Sequence, residues 1–458
     1  MEKARRGDLV SVAVTDLAFG GEGVGRTEGF VVFVPGGVPG DRVDVRLREV
    51  RPRFARGTIE AVREPSPLRV EPPCPYFGRC GGCRLQHVRY EAQLEFKQRQ
   101  VADCLTRLGS LGPAADLPLF PIIGAPEVYG YRNKMEFTFA EVDGQPVVGL
   151  HEAERYDAIL DVERCLLQSD ALNAVLGEVR GFVRECGWSV YRQESEEGLL
   201  RFLMLREGKA TGEVMVNLVT AAPDVPTARA LADRLRVRCP QVASVVLNVN
   251  PKKAAVAVGV EEHPIAGEET IRERLGALEF SISANSFFQT NTRQAERLFG
   301  IVTDYAALSG PETVLDLYSG TGAISLLLAR HARHVYGVEL VTAAIEDAAR
   351  NARANGITNC TFLPGEVRHV LPELVRQGIH VDVVVADPPR AGFHPKALRS
   401  LVTLAARRLV YVSCNPATLA RDLQTLVGGG YRLTALQPID MFPHTPHIEV
   451  VARLERSA

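Results

Sequence analysis

Apolar positions between residues 7 and 62 fall in short alternating runs broken by glycine: GDLVSVAVTDLAFGGEGVGR, then GFVVFVPGGVPGDRVDVRLREV, then RFARGTIEAV. Short strands separated by turn residues at this spacing predict a small β-barrel, an architecture that often takes oligonucleotides. The proline-rich stretch EPSPLRVEPPCP at 64 to 75 ends that pattern. A helical periodicity follows over 88 to 109. Residues 125 to 280 mix strand-like runs (MEFTFA, RFLMLR, EVMVNLV, SVVLNVN) with helical segments around 170 to 186 and 227 to 236, which predicts an α+β unit. After Ser281 strands and helices alternate strictly: TVLDLYS, GTGAISLLLARHA, HVYGVEL, TAAIEDAARNARANG, VDVVVADPP, PKALRSLVTLAA, RLVYVSC. Such alternation predicts a parallel, doubly wound, Rossmann-like sheet. The expected domains are therefore 1–66, 67–280 and 281–458.

Length and charge narrow this picture without redirecting it. The 458 residues suit two or three domains, and 46% hydrophobic with 24% charged residues is an ordinary globular composition. No window approaches the apolar length of a membrane helix, and MEKARRGDLV lacks the apolar stretch of a secretory signal, so a cytoplasmic protein with no membrane association is expected. The net charge of -2 leaves room only for local binding of a polyanion. The best local candidate is Arg42 to Arg63, where Arg42, Arg46, Arg48, Arg51, Arg53, Arg56 and Arg63 face only Asp44, Glu49 and Glu60. That excess of four positive charges reads either as an RNA-contacting surface or as a solvated, charge-balanced strand face.

In a reducing compartment, clustered cysteines read first as metal ligands or nucleophiles. Cys74, Cys80 and Cys83 form C-x5-C-x2-C. A four-coordinate site needs one more thiolate from Cys104, Cys165, Cys186 or Cys239, and Cys165, in DVERCLL beside an expected strand end, is the preferred choice. Four thiolates suit zinc or an iron-sulfur cluster, and spacing does not separate the two.

TVLDLYSGTG is a strand running into a glycine turn, where Gly320 and Gly322 let backbone amides approach a ligand closely. A dinucleotide fingerprint would have a third glycine where Ser325 stands, so the pattern favours S-adenosylmethionine over NAD. Glu339, 23 residues after Asp316 at the end of the next strand, is placed to accept hydrogen bonds from two ribose hydroxyls. Asp387-Pro388-Pro389 falls at the carboxyl end of the fourth strand. Enzymes that methylate exocyclic amines often carry an aromatic residue after such a Pro-Pro; here it is Arg390, which argues against amine chemistry.

Cys414 reaches the same edge, either as a core thiol or as a nucleophile. A nucleophile is needed if the acceptor is carbon 5 of uracil, since thiolate addition at carbon 6 is what makes carbon 5 reactive. A base must then remove the carbon 5 proton. Glu449, among apolar neighbours that raise a carboxyl pKa, is the candidate, and His447 competes with it.

Taken together, the C-x5-C-x2-C cluster, YRNK at 131 to 134, SFFQTN at 286 to 291, DLYSGTG, DPPRAG, SCNPATLARD and HIEVV resemble the RNA uracil-5-methyltransferase family, in particular its iron-sulfur branch that methylates 23S ribosomal RNA. The resemblance covers nearly the whole chain. It implies a TRAM-like (OB-like) RNA-binding barrel, a [4Fe-4S] cluster on Cys74, Cys80, Cys83 and Cys165, and S-adenosylmethionine contacts from Gln289, Tyr318, Glu339 and Asp387 beside Gly320. It also implies Cys414 as nucleophile, Glu449 as proton acceptor, and helix 88–109 packed on the catalytic domain. An acid near Gly365-Glu366 would contact the adenine, and Phe287 or Phe288 would stack on a flipped base. A monomer acting on 23S rRNA is the expectation. Methylation of tRNA and a non-catalytic RNA-binding assembly factor are the alternatives, the latter disfavoured because a binding module needs no paired nucleophile and base.

Overall fold

A computed structural model of the chain describes residues 4–27 and 30–457. The N-terminal alternation closes into a five-stranded barrel of β1 (Leu9–Leu17), β2 (Gly23–Thr27), β3 (Phe30–Val34), β4 (Arg42–Val50) and β5 (Phe54–Glu64), ordered β1-β2-β3-β5-β4. Every second residue points inward, so Val12, Val14, Val32, Val34, Val43, Val45, Leu47 and Ala55 form a small aliphatic core. Gly25 is required where β2 crosses β1, because a Cβ there would sit 2.3 Å from the Val12 side chain.

The arginine-rich run behaves as the charge-balanced face. Arg42 pairs with Glu64, Arg46 with Glu60, Arg51 with Glu49, Arg56 with Glu22 and Arg63 with Asp44. Counting within 42 to 63 misses Glu22 and Glu64, which the barrel closure brings alongside. Arg48 donates to the Thr58 hydroxyl at 3.1 Å. Exposed pairs of this kind contribute only about 0–1 kcal/mol each, and here they mainly cancel the local field.

Helix α1 (Tyr90–Arg107) bridges two units. Its Ala92 and Phe96 pack with Leu17 and Val38 of the barrel, whereas Val101 and Leu105 belong to the core of the C-terminal sheet. Two polar residues on the same buried face, Gln93 and Lys97, are also enclosed.

The middle unit is a seven-stranded sheet of β6 (Lys134–Val142), β7 (Gln145–Glu152), β8 (Arg155–Asp161), β9 (Leu200–Glu207), β10 (Val214–Thr220), β11 (Val242–Val249) and β12 (Glu261–Gly267), in the order β12-β11-β10-β9-β6-β7-β8. Only β10 and β11 run parallel, joined by the crossover helix α3 (Ala228–Arg238). Helix α2 (Asp170–Cys186) starts at Ser169, whose hydroxyl accepts from Leu172 N, and stops at Gly187 in the left-handed region. The hairpin β13 (Ile271–Leu275) and β14 (Leu278–Ile282) turns its alternate apolar residues into the C-terminal core, so packing assigns it to the last unit although the sequence pattern changes only after 281.

The C-terminal sheet runs β17-β16-β15-β18-β19-β21-β20. Its strands are β15 (Thr313–Leu317), β16 (His334–Glu339), β17 (Cys360–Pro364), β18 (Val383–Ala386), β19 (Arg408–Ser413), β20 (Tyr431–Ile439) and β21 (Glu449–Arg456). Helices α4 (Thr292–Ala306), α5 (Ala323–Ala329), α6 (Thr342–Ala354), α7 (Val367–Arg376), α8 (Pro395–Leu404) and α9 (Pro416–Gly428) cover it. Neighbours from β17 to β19 are parallel, and β21 inserts antiparallel between β19 and β20. Strand order reverses between β15 and β18, which opens a crevice beyond their carboxyl ends. No helix among the described residues is long and apolar enough to cross a membrane.

Candidate active site

The glycine turn and the DPP segment meet at that crevice. Tyr318 (φ 66°), Gly320 (φ 54°) and Gly322 (φ 84°) take left-handed conformations as the chain leaves β15. Glycine at 322 also spares a contact, since a Cβ there would lie 3.0 Å from that of Ala348. Gln289, Tyr318, Gly320 and Asp387 line one pocket together with Phe287 and Phe288. Glu339 stands beside it: its Oε2 accepts from Gly320 N at 3.0 Å, and its Oε1 from Leu340 N (2.7 Å) and Val341 N (2.8 Å). The carboxylate is thus held rigidly at the strand end, and the turn is tied to it. Glu366 stands at the N-cap position of α7, and its charge adds to the burial that raises the Tyr318 hydroxyl.

Ser325 has a role the fingerprint comparison could not reveal. Its hydroxyl donates to Asp316 at 2.5 Å inside the sheet. Burial pushes the Asp316 carboxyl up to about 7, against the Ser325 hydrogen bond and with a further push from Asp387. Asp387 keeps part of its surface open to the crevice, yet the surrounding protein raises it to about 7 as well.

Cys414 leaves β19 and Glu449 opens β21. The antiparallel register Ser413↔Val450 sets these two residues side by side. Burial pushes the Cys414 thiol up to about 11; the negative charges of Glu449 and Asp387 add to this and Arg390 opposes it. Glu449 is buried and its carboxyl lies well above the usual range, first through burial, then through Asp387, again with Arg390 opposing. His447 falls to about 4 through burial and through the charges of Arg390, Lys97, Arg132 and Arg84, so its imidazole is neutral near pH 7. Arg390, read in the sequence only as a missing aromatic, is the cation these groups share.

SFFQTN is held from two sides. Asn133 of YRNK donates to Gln289 O at 2.8 Å and to Thr292 Oγ1 at 2.9 Å. Buried Arg206 reaches the carbonyls of Ala284 and Ser286, and Asn217 donates to Ala284 O at 3.3 Å. The two phenylalanines separate: Phe288, 4% exposed, packs on Phe280, whereas Phe287 is 64% exposed at the pocket mouth.

Cys74, Cys80, Cys83 and Cys165 line one cavity of about 400 Å³ near the barrel. Cys104, Cys186 and Cys239 do not. Cys165 is fixed by Asn173 of α2, which accepts from its amide at 2.9 Å. Burial raises the Cys80, Cys83 and Cys165 thiols, Cys83 to about 12; the charge of Cys74 adds to all three, that of Cys80 to Cys83 and Cys165, and that of Cys165 to Cys83. No group of three or more His, Cys, Asp or Glu among the described residues is arranged to hold a metal ion. The four thiols share that one cavity.

Residues 228–457 match the tRNA (Uracil-5-)-methyltransferase family and residues 3–59 match the TRAM domain. An uncharacterised RNA methyltransferase of Halalkalibacterium halodurans is 43% identical, over 98% of this chain and 97% of its own length. One from Chlorobaculum tepidum is 41% identical over 99% and 97%. Among solved structures, the Pyrococcus abyssi tRNA (uracil-54, C5)-methyltransferase in complex with S-adenosyl-L-homocysteine superposes with a TM-score of 0.77 at 33% identity, covering 97% of this chain and all of that one.

Proposed function

The chain belongs to the tRNA (uracil-5-)-methyltransferase family, and from that premise we propose that it methylates carbon 5 of a uridine in RNA with S-adenosylmethionine as donor, through a covalent bond from Cys414 to carbon 6. The observation that carries this reading is the placement of Cys414 and Glu449 just beyond the Ser413↔Val450 register, both within electrostatic reach of Asp387 in the crevice. Bound S-adenosylmethionine supplies an electrophilic methyl group on a sulfonium. Gln289, Tyr318, Gly320, Glu339 and Asp387 bind and orient it. Cys414, its proton lost to water, attacks as the thiolate and forms the S–C6 bond, and the displaced C5=C6 π pair leaves carbon 5 electron-rich as part of an enolate. Carbon 5 takes the methyl group while the S–CH3 bond breaks. Glu449, in its ionised form, then accepts the carbon 5 proton, the C5=C6 bond reforms and Cys414 is expelled. A raised pKa makes Glu449 a strong acceptor once ionised, and Arg390 favours ionisation of both groups. Phe287, exposed at the mouth, is suited to stack on the flipped base.

Asp387 gives a pH dependence with a definite sign. Its carboxyl, raised to about 7, must lose a proton to become a good partner for the donor's cation. Affinity for S-adenosylmethionine should therefore rise several-fold between about pH 6 and pH 8, with proton release below 7. S-adenosylhomocysteine, which has no sulfonium, should show a flatter profile by calorimetry. Parallel profiles would remove Asp387 from the cofactor site.

Cys74, Cys80, Cys83 and Cys165 would hold a [4Fe-4S] cluster, which would supply a rigid cross-link between the loop before α1 and the entry to α2. Anaerobically purified protein should be brown, with about four iron and four acid-labile sulfide per chain, and Cys83→Ala should bleach it. Stoichiometric zinc without sulfide would overturn the cluster.

The barrel and the cysteine spacing underlie the 23S rRNA expectation. The barrel, however, does not argue against tRNA, because a chain of the same architecture along its full length is a tRNA (uracil-54, C5)-methyltransferase. Transfer RNA is therefore the second reading. Mapping 5-methyluridine in both RNAs, with and without the gene, decides between them.

A further inference from the structure

The loop from Asp440 to Ile448 delivers His447 and Glu449, and its backbone is gripped from all sides. Asp440 O accepts from Gln294 of α4 at 2.8 Å and Met441 O from Asn291 at 3.0 Å. Phe442 O accepts from Lys97 at 3.3 Å, and Pro443 O from the Tyr131 hydroxyl at 3.1 Å. His444 O accepts from the amides of Arg84 (2.9 Å) and Leu85 (3.0 Å), which directly follow Cys83. Lys97 also forms a buried ion pair with Asp440 at 2.7 Å.

Gln93 ties these grips together. It is fully enclosed, accepts from His444 N at 3.0 Å, and offers its amide to His444 Nδ1 (3.1 Å), Leu85 O (3.0 Å) and Val88 O (2.8 Å). One side chain therefore fastens both the exit of the cysteine loop and the loop that leads to Glu449. His444 has φ 65°, a region non-glycine residues occupy only where their surroundings hold them. Its ring stacks on Tyr129 at 4.5 Å. Tyr129 in turn lies within electrostatic reach of Cys83 and Cys74.

We propose that Gln93 and His444 form a clasp through which the cysteine site sets the position of Glu449, so that the cluster serves the elimination end of the reaction. Gln93 and His444 are positioning residues, and the proposal rests on the readings of Glu449 as proton acceptor and of the four cysteines as cluster ligands. A disordered cysteine loop withdraws the Arg84 and Leu85 amides from His444 O and the Leu85 carbonyl from Gln93, and the loop at 440–448 then loses its hold on one side. Addition by Cys414, which directly follows β19, is left in place.

Amide hydrogen exchange of the full-length protein, cluster-loaded and after anaerobic iron chelation, tests the coupling without any turnover. Chelation should speed exchange across 440–449 by about tenfold or more while leaving the turn at 316–322 unchanged. Faster exchange confined to 74–85 would overturn the proposal. The second arm uses two variants in cluster-loaded form. Gln93→Glu keeps the volume and an acceptor but loses the donated bonds. His444→Asn tolerates the left-handed backbone but loses the ring. Both should raise the ratio of methylated protein–RNA adduct to released product several-fold, with S-adenosylhomocysteine affinity unchanged. A proportional fall in adduct and product would contradict the clasp. If Glu449→Gln accumulates no adduct, the proton-acceptor reading fails separately, and the exchange result still judges the coupling.

Discussion

Replacing Cys414 with alanine should abolish methylation, by roughly 10⁴-fold or more, and with it every covalent complex with RNA. The size of the effect follows from the acceptor. Carbon 5 of uracil does not attack a sulfonium methyl unaided, so loss of the thiol removes the step that creates the nucleophilic carbon. Binding should survive: Gln289, Tyr318, Gly320 and Asp387 line their pocket without help from Cys414, and S-adenosylhomocysteine affinity should be within about twofold of wild type. The complex expected with 5-fluorouridine RNA, whose fluorine cannot leave as a proton, should be absent on denaturing gels. A variant that still methylates RNA would exclude the covalent route, whatever its residual rate.

The second large effect has the opposite signature. Glu449→Gln keeps the volume of a buried side chain but cannot accept the carbon 5 proton. Turnover should fall by about 10²–10⁴-fold, while addition and methyl transfer proceed. A methylated protein–RNA adduct should accumulate and survive denaturing electrophoresis. His447→Ala should leave little adduct: burial and four nearby cations hold that imidazole neutral with its pKa near 4, which makes it a weak base. Should the His447 variant trap the adduct while Glu449→Gln turns over normally, the two roles must be exchanged.

What the sequence made legible was chemistry carried within short segments. A strand, a glycine turn and an acid at the next strand end imply one crevice, because parallel strands must bring their carboxyl ends to the same edge. What it concealed was pairing between segments far apart in the chain. Glu22 and Glu64 neutralise arginines that a linear window counts as excess. Lys97 and Asp440, 343 residues apart, look like ordinary surface charges until α1 is seen packed on the last sheet. Gln93 is equally silent, a second polar residue beside Lys97 on the buried face of α1. Ser325 reads as a glycine missing from a fingerprint, although its hydroxyl is committed to Asp316. Phe287 and Phe288 are indistinguishable in sequence, and only the packing of Phe288 on Phe280 leaves Phe287 free at the mouth.

The covalent route turns on a bond between one sulfur and one carbon, and peptide-level mass spectrometry reads it directly. The wild-type protein is incubated with S-adenosylmethionine and 5-fluorouridine-substituted RNA, digested with protease and nuclease, and the modified peptide is sequenced. The expected result is a single modified peptide containing Cys414, with the fluorinated uracil bound to its sulfur and one added methyl group on the base. A methyl group recovered on an exocyclic amine or a ribose oxygen, with the Cys414 peptide unmodified, would contradict it.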